Sequence, residues 1–278
     1  MSETTAANAA FIQSEIQSIL VQPLEAASIV LAAGPRVIDS AAPIRIPVIS
    51  GGPSGVGYVA EGEAIPLGDI TTTQITAMPT TLAGVKDIVK VTEELIRAST
   101  VEVSQVFQQR VALVVASKVD TELLLGDGTT GHVRGLFNTT GAATSELDVT
   151  DIDSLLTAID VAYANEIKPT HWFVNGSDFI KLRKLKDTTG RYLIESDVTQ
   201  DVTYRLHGVP VIASNKVPAG KALLVDMGQV IVVRDIAPSI QILTELYAGT
   251  GEVGIKVQAR YDLTVTHPQA VTVLTATP

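Results

Sequence analysis

The chain has 278 residues, of which 46% are hydrophobic and 18% charged, the proportions of a globular protein and not of a disordered, collagen-like or coiled-coil one. Twenty Lys and Arg against thirty Asp and Glu leave a net charge of −10, which disfavours a dedicated nucleic-acid binder, since that function needs a basic footprint to neutralise phosphates. The absence of cysteine excludes disulfides, thiolate catalysis and cysteine-ligated zinc, and no apolar run nears the roughly 20 residues of a spanning helix. The mean hydropathy of +0.30 is nevertheless high for a soluble chain. It implies more apolar surface than a monomer covers, and so an oligomer. The N-terminus has neither the basic region nor the apolar core of a secretory signal.

In residues 2–31, Phe11, Ile12, Ile16, Ile19 and Leu20 recur near helical spacing, and Pro23 ends or bends the pattern. This reads as a short helical arm that docks elsewhere, or as an ordinary packed first helix. Residues 44–48 alternate as a strand, and Pro47, which has no N–H to give a ladder, places that strand at an edge or in a ribbon. A glycine-rich run over 51–57, the segment Tyr58-Val-Ala-Glu-Gly-Glu63 and a Thr-rich run over 70–81 follow, with no Lys or Arg between 51 and 85. Too little of this stretch is apolar to form its own core. It is predicted to be a long two-stranded projection that neighbours cover.

After a strand over 85–91, Ser99 and Glu102 stand at capping-box spacing. Val103, Phe107, Val111 and Val114 then form one helical stripe, and Val115, Val119 and Leu123 carry apolar surface round to another side. A helix over 101–125 is about 38 Å long at about 1.5 Å per residue. It stops at the turn-rich run 126–131. A second helix starts near Thr150 and Asp153 with Ile152, Leu155, Leu156, Ile159 and Tyr163 on one face. Ser177 opens a third, with Phe179, Leu182 and Leu185 inward and Lys181, Arg183, Lys184 and Lys186 outward. Short strands are expected over 171–174, 209–212 and 230–233. Residues 253–265 alternate without a miss, a strand of about 43 Å at about 3.3 Å per residue. One very long helix and one very long strand imply an elongated, flattened α+β structure.

The sequence excludes more chemistry than it supports. Gly126, Gly128 and Gly131 have the spacing of a dinucleotide fingerprint but follow a helix, whereas that chemistry needs them after a strand and opening a helix. Tyr58 and Val59 stand where a phosphate loop needs Lys and Ser or Thr. The histidines His132, His171, His207 and His267 show no metal-type pairing, and Asp148, Asp151 and Asp153 lack the Gly and distal Glu of a calcium loop. Glu61 and Glu63 alternate on one side of a strand. Paired acids can do acid–base work, but on an exposed ribbon they read better as ion-pair partners for a neighbouring subunit. Lys181, Arg183, Lys184, Lys186 and Arg191 form the one basic concentration, a solvated helix face before it is a patch for nucleic acid or acidic neighbours. No catalytic constellation, cofactor site or metal site emerges.

Five segments then carry a likeness in a fixed order: Tyr58-Val-Ala-Glu-Gly-Glu-Ala-Ile65; Val91-Thr-Glu-Glu-Leu-Ile96; Leu125-Gly-Asp-Gly-Thr129 with Arg134-Gly-Leu136; Leu185-Lys-Asp-Thr-Thr-Gly-Arg-Tyr-Leu193 with Leu206-His-Gly-Val-Pro-Val-Ile212; and Ala259-Arg-Tyr-Asp262 with His267-Pro-Gln-Ala270. In that order they resemble segments of tailed-bacteriophage major capsid proteins with the HK97-type fold. The resemblance implies an N-terminal arm over 1–43, an extended β-hairpin loop over 44–82, a peripheral domain over 83–134 and 241–278 with the long spine helix, and an axial domain over 135–240. It implies a structural protein and not an enzyme, with no cofactor. Such subunits self-assemble through hexamers and pentamers into an icosahedral shell around double-stranded DNA, in a virion built in the host cytoplasm. Many relatives begin with a helical scaffolding segment that is cleaved away and none precedes the arm here, so either scaffolding is expected from a separate protein, the favoured reading, or this is a trimmed form; the other implied partners are a portal and decoration proteins, with no membrane. Tyr58, Glu61, Glu63, Arg97 and Arg260 are the candidate subunit contacts. Some relatives cross-link through a Lys in the loop, and residues 51–85 contain none. The alternative is an encapsulin-type compartment shell, which shares the fold and encloses cargo enzymes.

Overall fold

The computed structural model describes residues 28–49, 56–65, 67–92, 102–186, 190, 192, 204–243 and 245–276. Its first sheet has the order β1 (Arg36–Asp39), β10 (Val230–Leu243), β11 (Glu252–Val265), β4 (Val85–Thr92). β10 and β11 are antiparallel and 14 residues each, longer than most strands. Along β11, Val257, Ala259, Tyr261, Leu263 and Val265 are all buried, as a period of two demands when one face is covered. The register of β10 shifts between Arg234 and Ile236 and again between Ile236 and Ser239. The second shift spans Pro238, which has no ladder N–H to give.

The long helix α2 (Glu102–Leu125) packs against this sheet. Among its described side chains, those of residues 113–125, Val115, Ala116, Val119, Leu123 and Leu124 are buried, so here the second arc of apolar residues meets the core. Val114, expected on the first stripe, is 59% exposed. The capping pair Ser99–Glu102 begins at a residue outside the described ones, as does the arm pattern over 11–20. At the other end, Asn138 Nδ2 donates to the carbonyls of Leu125 and Gly126 at 3.0 and 2.9 Å and so caps the last turn. A side chain at Gly126 would strike the carbonyls of Val133 and Glu122, which is why the glycine run here serves a tight return and not a phosphate.

The second sheet has the order β5 (Ala143–Leu147), β12 (Val271–Ala276), β9 (Lys221–Val225), β6 (His171–Val174), β8 (Val209–Ala213), β7 (Arg205–Leu206). Both its faces are covered. Phe173, Leu223 and Val225 join the core shared with α2, while Trp172, Val174, Leu224 and Leu274 meet α3 (Asp153–Ala164) and α4 (Gly176–Arg183). On α3 the buried stripe is Leu155, Ala158, Ile159 and Ala162. Leu156 and Tyr163, expected inward, are exposed, because the two alanines complete the inward stripe and leave those side chains on its flank. α4 begins one residue earlier than expected, capped by Asn175, whose Oδ1 accepts the Ser177 N–H at 2.9 Å. The expected division between residues 240 and 241 lies inside β10, and β12 belongs to the sheet of β5, β9 and β6.

A separate two-stranded ribbon pairs β2 (Ile44–Ile49) antiparallel with β3 (Thr72–Ala77). Pro47 sits opposite Gln74, a position that only a strand with a free side tolerates.

Candidate assembly interface

The ribbon is buried at its root and bare at its tip. Ala77 and Met78 are buried at the root, and Val48 is buried farther out opposite Thr73, whereas Tyr58, Ile65 and Leu67, beyond the paired strands, are each more than four-fifths exposed. Tyr58, Glu61 and Glu63 thus lie together on one exposed segment. Residues 61–63 form a turn closed by the Glu63 N–H on the Ala60 carbonyl (3.1 Å), with Gly62 at φ 88°. The expected strand alternation of Glu61 and Glu63 therefore does not hold there, since a left-handed glycine breaks the period of two. The acids Glu61, Glu63 and Asp69 are exposed beside apolar side chains, with no cation between residues 51 and 85.

β11 holds the root. Asp262, though on the face of β11 opposite the main apolar row, is buried, and its Oδ2 accepts the Met78 N–H at 2.6 Å while Oδ1 accepts the Leu263 N–H at 2.8 Å. Burial pushes the Asp262 carboxyl above its usual range, and the two N–H groups and the nearby Arg260 oppose that rise. Met78 has φ 57°, a left-handed conformation rare for a residue with a side chain, and its N–H bond to Asp262 holds it there. Arg260 donates from Nη1 to Asp235 (2.9 Å) and from Nη2 to the Pro79 carbonyl (3.2 Å). It is thus engaged within its own chain, at the loop's root and not its tip. Arg97 lies outside the described residues.

A second polar junction escaped the sequence reading. Asp120 is fully buried on the inward face of α2. It accepts the Ser28 hydroxyl and the N–H groups of Ile29 (3.1 Å) and Val30 (3.3 Å), at the start of the four-residue helix α1 (Ile29–Ala32). Lys216 Nζ, from the loop between β8 and β9, reaches Asp120 Oδ2 at 2.6 Å. The available signal was a carboxylate inside the stripe formed by Val115, Ala116, Val119, Leu123 and Leu124.

These are structural contacts. An open cleft of about 300 Å³ between α2, the start of β4 and the turn after α2 is lined by Lys86, Lys118, Glu122, His132 and Tyr261, and Lys118 is already paired with Glu122 at 2.7 Å. Among the described residues no group of three His, Asp or Glu could hold a metal, and no helix is long and apolar enough to cross a membrane.

Residues 8–276 match the model of the phage capsid family. The chain belongs to that family. None of the curated proteins matches it in sequence. Among solved structures, the capsid of a native GTA particle is 18% identical, with a TM-score of 0.73, and the match covers 91% of this chain and 90% of that one. A chain from Gordonia phage Cozz is 17% identical with a TM-score of 0.72, over 90% and 87% of the two chains. The SrpI encapsulin of Synechococcus elongatus shares the fold less closely, at 15% identity and a TM-score of 0.64, over 88% and 86%. These likenesses show an HK97-type capsid fold, and family membership makes this a major capsid shell protein. Its family and fold are those of a structural protein.

Proposed function

We propose that subunits of this capsid protein join into hexamers and pentamers, that these close into an icosahedral shell around double-stranded DNA, and that the 44–82 loop lies across a neighbour. The loop tip carries this reading. Apolar surface is worth about 25 cal/mol per Å² when removed from water, and within their own subunit Tyr58 and Leu67 recover none of it and Ile65 little. In this reading Tyr58 packs on the neighbour, and Glu61 and Glu63 pair with its basic side chains. Arg97 is the candidate for that pairing, and Arg260 keeps its own ion pair with Asp235. Residues 1–43 are the arm. Taking strands whole, the peripheral domain comprises 83–134 with 230–265, and the axial domain comprises 135–229 with 271–276. The net charge of −10 suits a lining along which DNA slides. A separate scaffolding protein, a portal and decoration proteins complete a virion assembled in the host cytoplasm.

Light scattering and negative-stain microscopy of the purified protein at moderate salt test this. Closed shells, or rings of five or six subunits, are expected. A monodisperse monomer that persists at high concentration and with added scaffold overturns the reading. The likeness to an encapsulin gives the second reading, and particles from the native source that hold protein cargo in place of DNA would establish it.

A further inference from the structure

The second sheet carries its charge unevenly. At one end lie the edge strand β5 and the helix α3 that packs on β5 and β12. Asp148, Asp151, Asp153 and Asp160 are exposed there, and no Lys or Arg occurs between residues 135 and 167. Leu156 and Tyr163, 44% and 58% exposed, stand four residues before and three after Asp160 and share its stripe.

At the opposite end lie α4 and the edge strand β7. The Phe179 ring of α4 meets Tyr204, the residue before β7, with centroids 5.2 Å apart. Lys181, Lys184, Lys186 and Arg205 are exposed here beside Ile180 and Tyr192, themselves 47% and 51% exposed. The one carboxylate on α4, Asp178, is buried and spent on Lys181 Nζ (2.8 Å) and the Gly220 N–H (2.7 Å). Both helices cover the same face of the sheet, since Leu155, Ile159, Phe179 and Leu182 share one core. The two patches therefore differ in edge, not in face.

We infer that these two edges are the two halves of one heterologous interface between copies of this chain, the acidic edge of one subunit seated on the basic edge of the next. Among the described residues, each patch combines an aliphatic and an aromatic side chain with exposed charge of a single sign. Like edge on like edge covers the apolar atoms only by setting charge against equal charge, which is repulsive. Unlike edges cover them and pair the charges. A contact between two different patches passes from subunit to subunit in one direction, so it closes into a ring or runs on as an open string. The inference rests on the shell reading and adds to it which surfaces meet inside a ring.

Charge reversal tests it. Asp160→Lys and Lys184→Glu both fall on exposed positions, so circular dichroism and melting are expected to match the parent. Each alone is expected to raise the concentration for half-assembly about tenfold or more, and the double reversal to bring it back near the parent, because Lys and Glu then face each other where Asp160 and Lys184 did. Tyr163→Ser, which touches no charge, is expected to weaken assembly in both the parent and the double reversal. Parental protein that forms neither rings nor shells overturns the shell reading and this surface with it. Parental assembly that all three single variants match overturns the surface alone, as does a double reversal no better than the worse single one.

Discussion

Asp262 shows how one carboxylate can anchor a loop at a cost that depends on pH. Burial raises its affinity for a proton above the ordinary value of 3.8, against the pull of the Met78 and Leu263 N–H groups and of Arg260. In the unfolded chain it titrates at that ordinary value, so the folded state holds the proton more tightly. Its contribution to stability is then complete below about pH 4 and is lost as pH rises through the raised folded value. Asp262→Asn removes the titration, so urea unfolding of the unassembled subunit should show the variant gaining on wild type from about pH 4 upward. Parallel profiles for the two proteins would sink the assignment. Asp262→Leu acts differently, because it leaves the Met78 N–H buried without an acceptor, and should cost about 1–3 kcal/mol at any pH.

At the scale of elements, the loop divides cleanly into a buried root and a bare tip, so substitutions at its two ends should have separable effects. Tyr58→Ser with Leu67→Ser removes only exposed atoms. The subunit should melt as wild type does, while the concentration for half-assembly rises about tenfold or more if these side chains are anchors in a neighbour. Unchanged assembly would mean that nothing covers the tip. How far such elements can be read from sequence follows from their periodicity. β11 and α2 were readable because one period runs through each over many residues, and Pro47 marked the ribbon because proline excludes a central strand. β9 was not. Ala222, Leu223, Leu224 and Val225 are a continuous apolar run buried on both faces, which has no period to read. Asp262 misled for a different reason. Alternation places it on the face opposite the main apolar row, which a strand usually turns to water, but here the returning loop covers it through Met78, 184 residues away in sequence. Asp120 was hidden in the same way. Local pattern shows that a helix has an apolar face, not which distant backbone will bring donors to a carboxylate on it.

Across the whole molecule, the two large sheets meet at α2, and the loop between β8 and β9 fixes them there. Asn175 Nδ2 donates to the Val217 carbonyl (2.6 Å) and the Gly220 N–H to Asp178 (2.7 Å), which ties the loop to the start of α4. From the same loop Lys216 reaches Asp120 on α2, and Asp120 holds residues 28–30. One path of buried and part-buried polar contacts therefore runs from the second sheet to the long helix and to residues 28–30. Lys216→Met leaves the Asp120 carboxylate buried without its counter-charge and should cost about 3 kcal/mol or more in urea unfolding. Asp120→Asn keeps an acceptor for only one of the two N–H groups, since those of Ile29 and Val30 go to different oxygens, but Lys216, with a side chain 24% exposed, can turn to water, so that change should cost less. The double variant has no unpaired buried charge, so its loss should fall short of the sum of the two by about 1–3 kcal/mol. Strict additivity would mean that Lys216 and Asp120 do not couple and that this ion pair does not join the loop to α2.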